Sequence, residues 1–380
     1  MLPLRRRRRA VTTRRFGLER FANRLPSVSE FVTLGEGNTP VVPLPRLARG
    51  IGLGDLSAKL ETANPTGSYK DRAAAMSISL ALSRGCPGWI ATSSGNAGAA
   101  FAAYAARAGL PGMLCVVAGA PPEKLAALLP YGTSVMAVEG IGTRGSRKAL
   151  DRLLRQVSEF ANERGLFLGV TANALNPDGM RGVDTIGYEL AEQLPDATHV
   201  YLPVGGGGLL VSVARGLSEY AMEPVIVASQ PAGCAPVARY LSGEIAVPRV
   251  DRCSTVVSGL QLPSPPDGCE AAKAVEESGG WGTTVTDEEV VAAQELLVVT
   301  EGLFVEPASA TVVAALIRDV RNRRVNERDH PVLLLTGAGW KDLSRFAART
   351  RELPRENASH IYRHLCAWFE KPKYCDDKIL

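Results

Sequence analysis

Short apolar runs alternate with helical patterns through most of the chain, and this alternation is the feature that most restricts its fold. The apolar runs are continuous, which is typical of parallel strands covered by helices on both faces. The predicted strands are residues 88–92, 113–118, 134–138, 166–170, 199–204, 225–229 and 332–335. The predicted helices are residues 97–108, 122–129, 144–164, 184–193, 209–220, 288–300 and 307–323. The sequence therefore predicts an α/β fold built on parallel sheets.

The length of 380 residues exceeds the roughly 250–300 residues that one hydrophobic core supports, so we expect two lobes. Aromatic residues make up only 6% of the chain and glycine contributes 38 residues, which favours tight strand-to-helix turns over a β-sandwich. No run of about 18 apolar residues occurs, so no membrane span is expected.

Positive charge is concentrated in residues 1–20, which carry eight arginines and a single acid, Glu19. The formal net charge is +4, so the remainder is near −3 and offers no basis for nucleic-acid binding. We interpret the arginine run as a solvated tail or a start codon assigned too far upstream. A nucleic-acid or membrane-surface arm and a mitochondrial-type presequence are the alternatives. A secretory signal is excluded because no apolar h-region follows the arginines.

The seven cysteines are scattered and form no CxxC pair. Cys86 and Cys115 lie at or within apolar segments, so we interpret them as small core residues. This usage predicts a reducing compartment, the cytoplasm, and chemistry that does not depend on thiols. His360 and His364 share one helix face near Cys366, but the spacing matches no standard zinc site, so we predict no metal.

Four consecutive glycines, Gly205, Gly206, Gly207 and Gly208, lie between a predicted strand and a predicted helix. Without Cβ atoms, their N–H groups can converge on an anion, and the N-terminus of the following helix adds a positive field. We predict a phosphate-binding loop, with a plain strand-to-helix turn as the alternative. A dinucleotide site is disfavoured because the next strand ends without an acid for the ribose, and no P-loop sequence occurs.

Lys70 follows a turn formed by Pro65 and Gly67 and stands at the start of a predicted helix. A lysine in such a place is held rigidly and partly buried, and burial lowers a lysine pKa as imine formation and proton transfer require. The alternative is a surface lysine in the first helical turn, and the local residues leave both interpretations open.

Two further polar positions follow predicted strands. Asn96 lies in the segment SSGN with Ser93 and Ser94, whose short side chains suit a carboxylate ligand but more often cap a helix. Thr336 ends a buried strand and either offers its hydroxyl to a ligand over the sheet or is a simple edge threonine. Ligands of open parallel sheets bind beyond the carboxyl ends of the strands, so these residues are candidates for the binding site.

Together these segments resemble the threonine synthase-like branch of the fold-type II (tryptophan synthase β-like) pyridoxal-phosphate-dependent enzymes. The resemblance covers about residues 25–345 and keeps the family's order. It is carried by LGEGNTP (34–40), NPTGSYKDR (64–72), SSGNAG (93–98), PVGGGG (203–208), EGLFVEPASA (301–310) and LTGAGWKD (335–342). It implies two three-layer α/β/α lobes with parallel-rich sheets and pyridoxal 5′-phosphate in the cleft between them.

The resemblance also implies a role for each candidate residue. Lys70 would bind the cofactor as a Schiff base and remove the Cα proton of the substrate. The other implied roles are phosphate binding by Gly205, Gly206, Gly207 and Gly208, a hydrogen bond to the ring hydroxyl from Asn96, a hydrogen bond to the pyridine nitrogen from Thr336, and binding of the substrate carboxylate by Ser93, Ser94 and Gly95.

The hydroxyl of Thr336 cannot protonate the ring as a carboxylic acid does, so the cofactor would be a weaker electron sink and would favour loss of a β leaving group. We therefore predict a lyase or synthase that performs β-elimination or β-replacement on a serine/threonine-class amino acid, free or O-substituted. One alternative is threonine synthase acting on O-phosphohomoserine. Another is a partner protein that binds the cofactor without turnover, and a third, disfavoured one is a nicotinamide oxidoreductase.

The chain departs from the threonine synthase pattern where that family grips the phosphate of O-phosphohomoserine. Ala174, Gly179 and Gly206 stand where the pattern has Ser, Arg and Asn. All three changes remove polar groups, and a phosphate dianion needs several charge-assisted hydrogen bonds, so this substrate is disfavoured. Ala97, where the family commonly has a hydroxyl residue, points the same way, and Arg181 is a candidate replacement for the missing cation.

The expected architecture inserts a small lobe, residues 76–183, into a large cofactor-binding lobe of residues 25–75 and 184–350. An Arg-rich tail, residues 1–24, precedes them. The C-terminal tail, residues 351–380, contains Trp368, Phe369 and Tyr374 and is expected to dock on the neighbouring subunit of a homodimer. The expected partner is a small-molecule amino acid, with no nucleic acid and no membrane.

Overall fold

The structure is a computed structural model that describes residues 16–93, 95–120, 125–140, 147–347 and 355–370, with the single positions 350 and 353. These residues form the strands β1 (Val41–Pro43), β2 (Ser57–Leu60), β3 (Trp89–Ala91), β4 (Gly112–Val117), β5 (Ser134–Val138), β6 (Phe167–Leu168), β7 (His199–Pro203), β8 (Val225–Pro231), β9 (Trp281–Val285) and β10 (Pro331–Leu335). The helices are α1 (Pro45–Ile51), α2 (Lys70–Ser83), α3 (Asn96–Ala108), α4 (Arg147–Arg164), α5 (Pro177–Gln193), α6 (Gly208–Glu219), α7 (Pro236–Leu241), α8 (Gly268–Glu277), α9 (Asp287–Glu301), α10 (Pro307–Arg321), α11 (Ser344–Ala347) and α12 (Ile361–Glu370).

The larger sheet has the strand order β1–β2–β10–β7–β8–β9, and β1 alone of these strands runs antiparallel to its neighbour. Apolar side chains of α1, α9 and α10 cover one face, and those of α5, α6 and α8 cover the other. Because helices cover both faces, every residue of the central strands β7 and β10 is buried.

The smaller sheet is parallel throughout and has the order β5–β4–β3–β6. Helices α2 and α3 pack on one face around Trp89 and Phe101, whose ring centroids lie 5.7 Å apart. Helix α4 packs on the other face through Val157 and Ala161. Each sheet is therefore the middle layer of an α/β/α unit, and the predicted fold class is confirmed.

All seven predicted strands are present, with ends that shift by at most two residues. The helix predicted over residues 184–193 begins earlier, at Pro177, because the Asn176 side chain caps it by accepting from the N–H of Gly179 at 3.1 Å. The short strands β1, β2 and β9 and the short helix α1 were not predicted, nor was α8 inside the Pro/Gly/Ser-rich stretch. The helix predicted over residues 122–129 lies partly outside the described residues, as do residues 144–146 of the next one.

The two sheets are joined through continuous helices. The expected boundary between residues 75 and 76 falls inside α2, and the one between 183 and 184 falls inside α5. Part of the stretch expected to be an N-terminal tail also belongs to the body, since Leu18 and Phe21 are buried in the core of the smaller unit. Residues 1–15 of that tail lie outside the described residues.

Two cysteines that were expected to be reduced are paired, because Cys234 and Cys253 form a disulfide across 19 residues of sequence. This bond ties the start of α7 to the irregular stretch that precedes α8, and its presence is a correction to the expectation drawn from cysteine spacing. Cys115 is buried and Cys86 half-buried, as expected of small residues at the core.

The end of the chain beyond the larger sheet includes α12, which exposes Tyr362 and Phe369. His360, just before this helix, and His364, within it, both face Glu356, with His364 Nε2 2.6 Å from the carboxylate. Among the described residues, no group of three or more His, Cys, Asp or Glu side chains is arranged to hold a metal ion. None of the helices within the described residues is long and apolar enough to cross a membrane.

Candidate active site

The site lies where two neighbouring strands of the larger sheet end. Strand β7 runs into the glycine loop, Gly205 to Gly208, and the adjacent parallel strand β10 runs into Thr336. Because the strands are parallel and paired, their carboxyl ends open at the same edge of the sheet. This edge is where ligands bind in open α/β sheets.

The glycine loop has the conformation of an anion cradle. Gly207 adopts a φ of +91°, and a Cβ atom there would lie 2.5 Å from the carbonyl oxygen of Asp267. A Cβ atom at Gly208, the first residue of α6, would lie 2.8 Å from Asp267 Oδ2. Gly207 requires glycine for both its backbone and its close packing, Gly208 has little room for a Cβ atom, and the N-terminus of α6 supplies N–H groups and a positive field.

Lys70 is the first residue of α2, and the end of β10 positions it. The N–H of Tyr69 donates to the carbonyl of Thr336 at 3.1 Å, and Ser68 pairs with Gly337 in an isolated bridge. The half-buried ammonium of Lys70 donates to Thr171 Oγ1 at 2.7 Å and lies 4.6 Å from the ring centroid of Tyr69. These contacts place the lysine beside the strand end that carries Thr336.

Thr171 connects Lys70 to the glycine loop, and its place shortly after β6 was the sole sequence signal for such a role. Its hydroxyl accepts from Lys70, and its carbonyl oxygen lies 3.2 Å from the Cβ position of Gly208. Lys70 and the anion cradle are therefore separated by a single residue. A neutral hydroxyl accepts from the amine, and no ion pair to Lys70 is found in the part of the chain that the structure describes.

The Thr336 side chain is buried, with 3% exposure, and its hydroxyl lies 2.9 Å from Ser309 Oγ. Ser309, in the first turn of α10, also accepts from the N–H of Gly337 at 2.8 Å. The serine thus fixes both the threonine hydroxyl and the backbone that follows it. Ser309 lies in the segment EGLFVEPASA, which the sequence analysis singled out. Its contact with Thr336 was not predicted, because it depends on how α10 packs against the end of β10.

Asn96 begins α3, on the smaller unit, and its amide lies between two charged groups of the larger unit. Its Nδ2 donates to Glu306 at 2.9 and 3.1 Å, and its Oδ1 accepts from Lys341 Nζ at 2.8 Å. Neither Glu306 nor Lys341 was assigned a role from the sequence. The available sequence signal was their position: Glu306 immediately precedes α10, and Lys341 lies shortly after β10.

The loop before α3 holds the other predicted substrate ligands. The N–H of Gly95 donates to Ser93 Oγ at 3.3 Å, so the serine side chain folds back on its own loop. Ser94 lies outside the described residues. Among the described residues, no side chain caps the N-terminus of α3, and a helix N-terminus favours an anionic ligand.

A buried ionic network begins at Arg72, on the same first turn of α2. Arg72 donates to Glu61 Oε1 at 2.7 Å and to both oxygens of Glu189 at 2.7 and 2.8 Å. Lys59 Nζ donates to Glu189 at 2.6 Å. Burial alone would raise the pKa of Glu189, but Arg72 and Lys59 outweigh it and lower that pKa to about 2.

The three positions that depart from the threonine synthase pattern have different surroundings. A Cβ atom at Gly179 would overlap Ser77 Oγ and the Asn176 amide, so a side chain does not fit there. Gly206 has room, because the nearest atom to its Cβ position is 3.5 Å away. Ala174 is exposed.

Arg181 does not replace the missing cation. Its guanidinium lies 2.7 Å from Asp184 and 2.7 Å from Glu219. Burial opposes its charge, but these carboxylates raise its pKa above the ordinary value. The expectation that Arg181 substitutes for the family's arginine is not supported by this ion-paired position.

Fold and site together define an α/β enzyme with a lysine beside an anion cradle. Comparison with known proteins gives the family. The model of the family described as "Pyridoxal-phosphate dependent enzyme" matches residues 32–337. The threonine synthase of Methanosarcina acetivorans is 35% identical over 329 residues, which cover 83% of this chain and 78% of that protein.

Solved structures show the same fold. The processed form of threonine deaminase isoform 2 from Solanum lycopersicum superposes with a TM-score of 0.67 at 20% identity, covering 86% of this chain and 81% of that one. A fungal L-serine ammonia-lyase from Rhizomucor miehei gives 0.69 at 17% identity, covering 83% and 98%. The chain belongs to the pyridoxal-phosphate-dependent enzyme family, in its threonine synthase-like group. It is an enzyme of β-elimination or β-replacement chemistry that depends on this cofactor.

The residues present fit the cofactor. A phosphate needs converging N–H donors, and the loop at Gly207 and Gly208 is built so closely on Asp267 that a Cβ would not be accommodated. The aldehyde needs a primary amine, and Lys70 is the lysine beside that loop. The hydroxyl of Ser68, which is fully buried two residues before Lys70, has no hydrogen-bond partner within the described chain. An unsatisfied buried hydroxyl at this point is consistent with a site that a polar group completes.

Proposed function

We propose that this enzyme removes or replaces the β-substituent of a serine- or threonine-class amino acid, free or O-substituted. The observation that carries the proposal is Lys70, which stands between the glycine loop and Thr336 with a neutral hydroxyl as its hydrogen-bond acceptor. The names of the relatives, threonine synthase, threonine deaminase and L-serine ammonia-lyase, support the substrate class.

Each candidate residue has a proposed task. The glycine loop and the N-terminus of α6 hold the cofactor phosphate, and Thr336 and Asn96 hold the two polar atoms of its ring. When bound, the cofactor supplies an aldehyde for the substrate amine and a ring that stabilises negative charge at Cα. The Lys70 amine accepts the Cα proton and can return a proton to the leaving group. Ser93, Ser94 and Gly95, at the start of α3, receive the substrate carboxylate.

The hydroxyl of Thr336 supports β-chemistry over transamination. Ser309 holds that hydroxyl at 2.9 Å, so the group that would hold the ring nitrogen is neutral and would not transfer a proton to it. Negative charge is then less delocalised into the ring, which favours rapid loss of a β leaving group.

The proposal is tested with the purified enzyme loaded with pyridoxal phosphate. Serine, threonine, O-acetylserine and O-phosphohomoserine are offered separately, and 2-oxo acid, ammonia, phosphate and threonine are measured. Formation of a 2-oxo acid and ammonia from a serine-class compound supports the proposal. Threonine and phosphate from O-phosphohomoserine would establish the alternative, threonine synthase. Absence of turnover with every amino acid, together with retained cofactor, would favour the partner protein without catalysis.

We propose that the two α/β/α units are lobes that close over the substrate, with the small lobe near residues 76–183 and the large lobe formed by residues 25–75 and 184–350. The contact from Asn96 of one unit to Glu306 and Lys341 of the other supports a closed form. Closure would exclude water from the reacting Cβ. Small-angle scattering with and without serine measures the expected decrease in radius of gyration.

We propose further that the enzyme is a cytoplasmic homodimer. Sedimentation equilibrium tests the dimer, for which the exposed apolar side chains of α12 are the proposed contact. The Cys234–Cys253 disulfide opposes a cytoplasmic location, since such bonds are rare there. Alkylation during lysis followed by mass spectrometry decides between them: seven reactive thiols support the cytoplasm, and a linked Cys234–Cys253 peptide contradicts it.

A further inference from the structure

Asp267 is a buried carboxylate that lies directly against the glycine loop. It is 1% exposed, its N–H donates to the carbonyl of Gly206 at 3.0 Å, and its carbonyl oxygen packs on Gly207. It precedes α8, but its side chain does not cap that helix. The carboxylate reaches across to the segment that leads into α5 instead.

In that segment the carboxylate accepts from two consecutive backbone N–H groups. Asp267 Oδ2 lies 2.7 Å from the nitrogen of Asn173, and Oδ1 lies 2.8 Å from the nitrogen of Ala174. Consecutive N–H groups that point to one place form an anion-binding concavity. Here the protein fills that concavity with its own carboxylate.

This concavity, the N–H pair of Asn173 and Ala174, adjoins the active site. The Asn173 side chain donates to the carbonyl of Gly208 at 3.2 Å. Thr171, two residues earlier, binds the Lys70 amine. An anion on this N–H pair would therefore lie next to the cofactor phosphate and on the side of the reacting lysine.

Among the described residues, the two arginines near this concavity are already paired with carboxylates. The guanidinium of Arg215 donates to both oxygens of Asp184, at 2.8 and 2.6 Å, and to Asn173 Oδ1 at 3.1 Å. Arg181 is held by Asp184 and Glu219. A phosphate dianion in the concavity would have to displace Asp267 into a buried position or lie against it, and like charges at such distances are strongly unfavourable.

We infer that Asp267 is a specificity-determining residue, which blocks the N–H pair of Asn173 and Ala174 and so restricts this enzyme to substrates whose side chain carries no phosphate. The inference rests on the proposed β-chemistry and narrows its substrate class to free amino acids and those with an uncharged O-substituent. Phosphorylated substrates are then excluded for two reasons: the Asp267 carboxylate is present, and the polar side chains of the family are missing at Ala174, Gly179 and Gly206.

The test measures binding of inorganic phosphate to the holoenzyme by isothermal titration calorimetry. The holoenzyme is used because its glycine loop is already filled, so that added phosphate reports on the second site. The variants are Asp267→Asn, which removes the charge at constant size, and Asp267→Ser, which also frees both N–H groups. Glu270→Gln is the matched control, because it removes an exposed negative charge from the first turn of the same helix.

We expect wild type and Glu270→Gln to bind phosphate equally weakly. Asp267→Ser should bind it at least about tenfold more tightly, with Asp267→Asn between them, because charge-assisted hydrogen bonds become available and a repulsive charge is removed. In the same series, phosphate should become a competitive inhibitor of serine or threonine turnover in Asp267→Ser alone. Equal phosphate affinity in wild type and folded, cofactor-loaded Asp267 variants would overturn the inference.

Wild type provides an independent test if the variants do not fold. Release of phosphate from O-phosphohomoserine by the wild-type enzyme would overturn the inference without any variant. Absence of turnover of serine-class substrates would instead contradict the proposed function, whereas the calorimetric result would still stand or fall by itself. The two failures are therefore distinguishable.

Discussion

Lys59 and Lys70 lie eleven residues apart and have opposite surroundings. Lys59 is fully buried, and its ammonium donates to Glu189, to the carbonyl of Thr39 and to Gln193, at 2.6 to 2.7 Å. Lys70 is half-buried and donates to the neutral hydroxyl of Thr171. Lys59 has all three of its N–H donors satisfied in an ionic network, so it has no capacity for chemistry.

The difference shows how one helix start can serve both stability and reactivity. Lys70, Asp71 and Arg72 are consecutive, and successive residues of a helix point about 100° apart. Lys70 thus faces the ligand edge of the sheet, and Arg72 faces the buried network of Glu61 and Glu189. The reactive lysine is therefore held on a rigid helix start, and its hydrogen-bond acceptor within the described residues is a neutral hydroxyl.

Replacement of the reactive lysine should have the largest effect. Lys70→Ala removes the amine that binds the cofactor and moves the proton, so turnover of the substrate identified for wild type should fall by at least about 10³-fold. The cofactor should no longer be attached to the chain by borohydride reduction, which mass spectrometry measures. The free energy of unfolding should change little, because Lys70 loses one hydrogen bond to a neutral group.

Lys70→Arg separates charge from reactivity. It retains a cation near Thr171 but has no primary amine, so it should be as inactive as Lys70→Ala. Activity in Lys70→Arg that approached the wild-type level would contradict the proposed role of the lysine.

The opposite result is expected for the buried network. Arg72→Met leaves Glu61 and Glu189 with only Lys59 as a cation, and breaking a buried ionic group in this way costs about 3–5 kcal/mol. Urea unfolding of the apoenzyme measures the loss. An exposed ion pair provides the control: Lys273→Met, which removes a partner of Glu277, should leave the free energy of unfolding almost unchanged. A small change in the free energy of unfolding of Arg72→Met would show that the network does not stabilise the fold.

Two neighbouring glycines of the loop, Gly207 and Gly206, provide a matched test of cofactor binding. Gly207→Ala forces a left-handed φ on alanine and presses its Cβ on Asp267, and together these cost about 2–4 kcal/mol. The loop would have to move, so we expect pyridoxal phosphate to bind about a hundredfold more weakly in equilibrium dialysis. Gly206→Ala, which has space for its Cβ, should bind the cofactor within about threefold of wild type. Equal affinities would mean that the loop does not hold the phosphate.

Sequence reasoning predicted the sheets well, because buried parallel strands are continuous apolar runs and their ends carry the unusual residues. The general rule for such sheets predicted that the glycine loop and Thr336 lie at the ligand-binding edge, but the pairing of β7 with β10, which makes them neighbours, was not predicted. The assignment of Lys70, Asn96 and Thr336 to a cofactor came from the family resemblance. Their separate roles remain proposals that the variants above test.

The supporting contacts could not be predicted in the same way. Thr171 and Asp267 reach the site from segments about 100 and 200 residues after Lys70, and no local pattern marks which hydroxyl or carboxylate will arrive there. The buried network joins β2, α2 and α5, whose charged residues look like solvent-exposed positions in sequence. The missed elements β1, β2 and β9 are short edge or near-edge strands with weak patterns. Tertiary packing decides all of these.

Replacement of Asp71, which lies between Lys70 and Arg72, should produce the smallest change in the free energy of unfolding. Burial raises the pKa of its carboxyl to about 6, even though the N–H and hydroxyl of Thr66 both donate to it. The ordinary pKa is 3.8, so between pH 3.8 and 6 the folded chain binds the proton that the unfolded chain has released. Stability from this group is therefore present below pH 4 and is lost as the pH rises through 6.

The measurement compares wild type with Asp71→Asn, which does not titrate. The free energy of unfolding of wild type minus that of the variant should fall by about 2 kcal/mol between pH 4 and pH 7. Asp184, whose pKa burial also raises to about 6, titrates in the same window, but it shares no hydrogen-bond partner with Asp71 and so cancels in the difference. A difference that rises with pH would mean that the Thr66 hydrogen bonds outweigh burial. Asp71 would then be a charged anchor for the lysine turn, and its surroundings would resemble those of Arg72 more than those of Lys70.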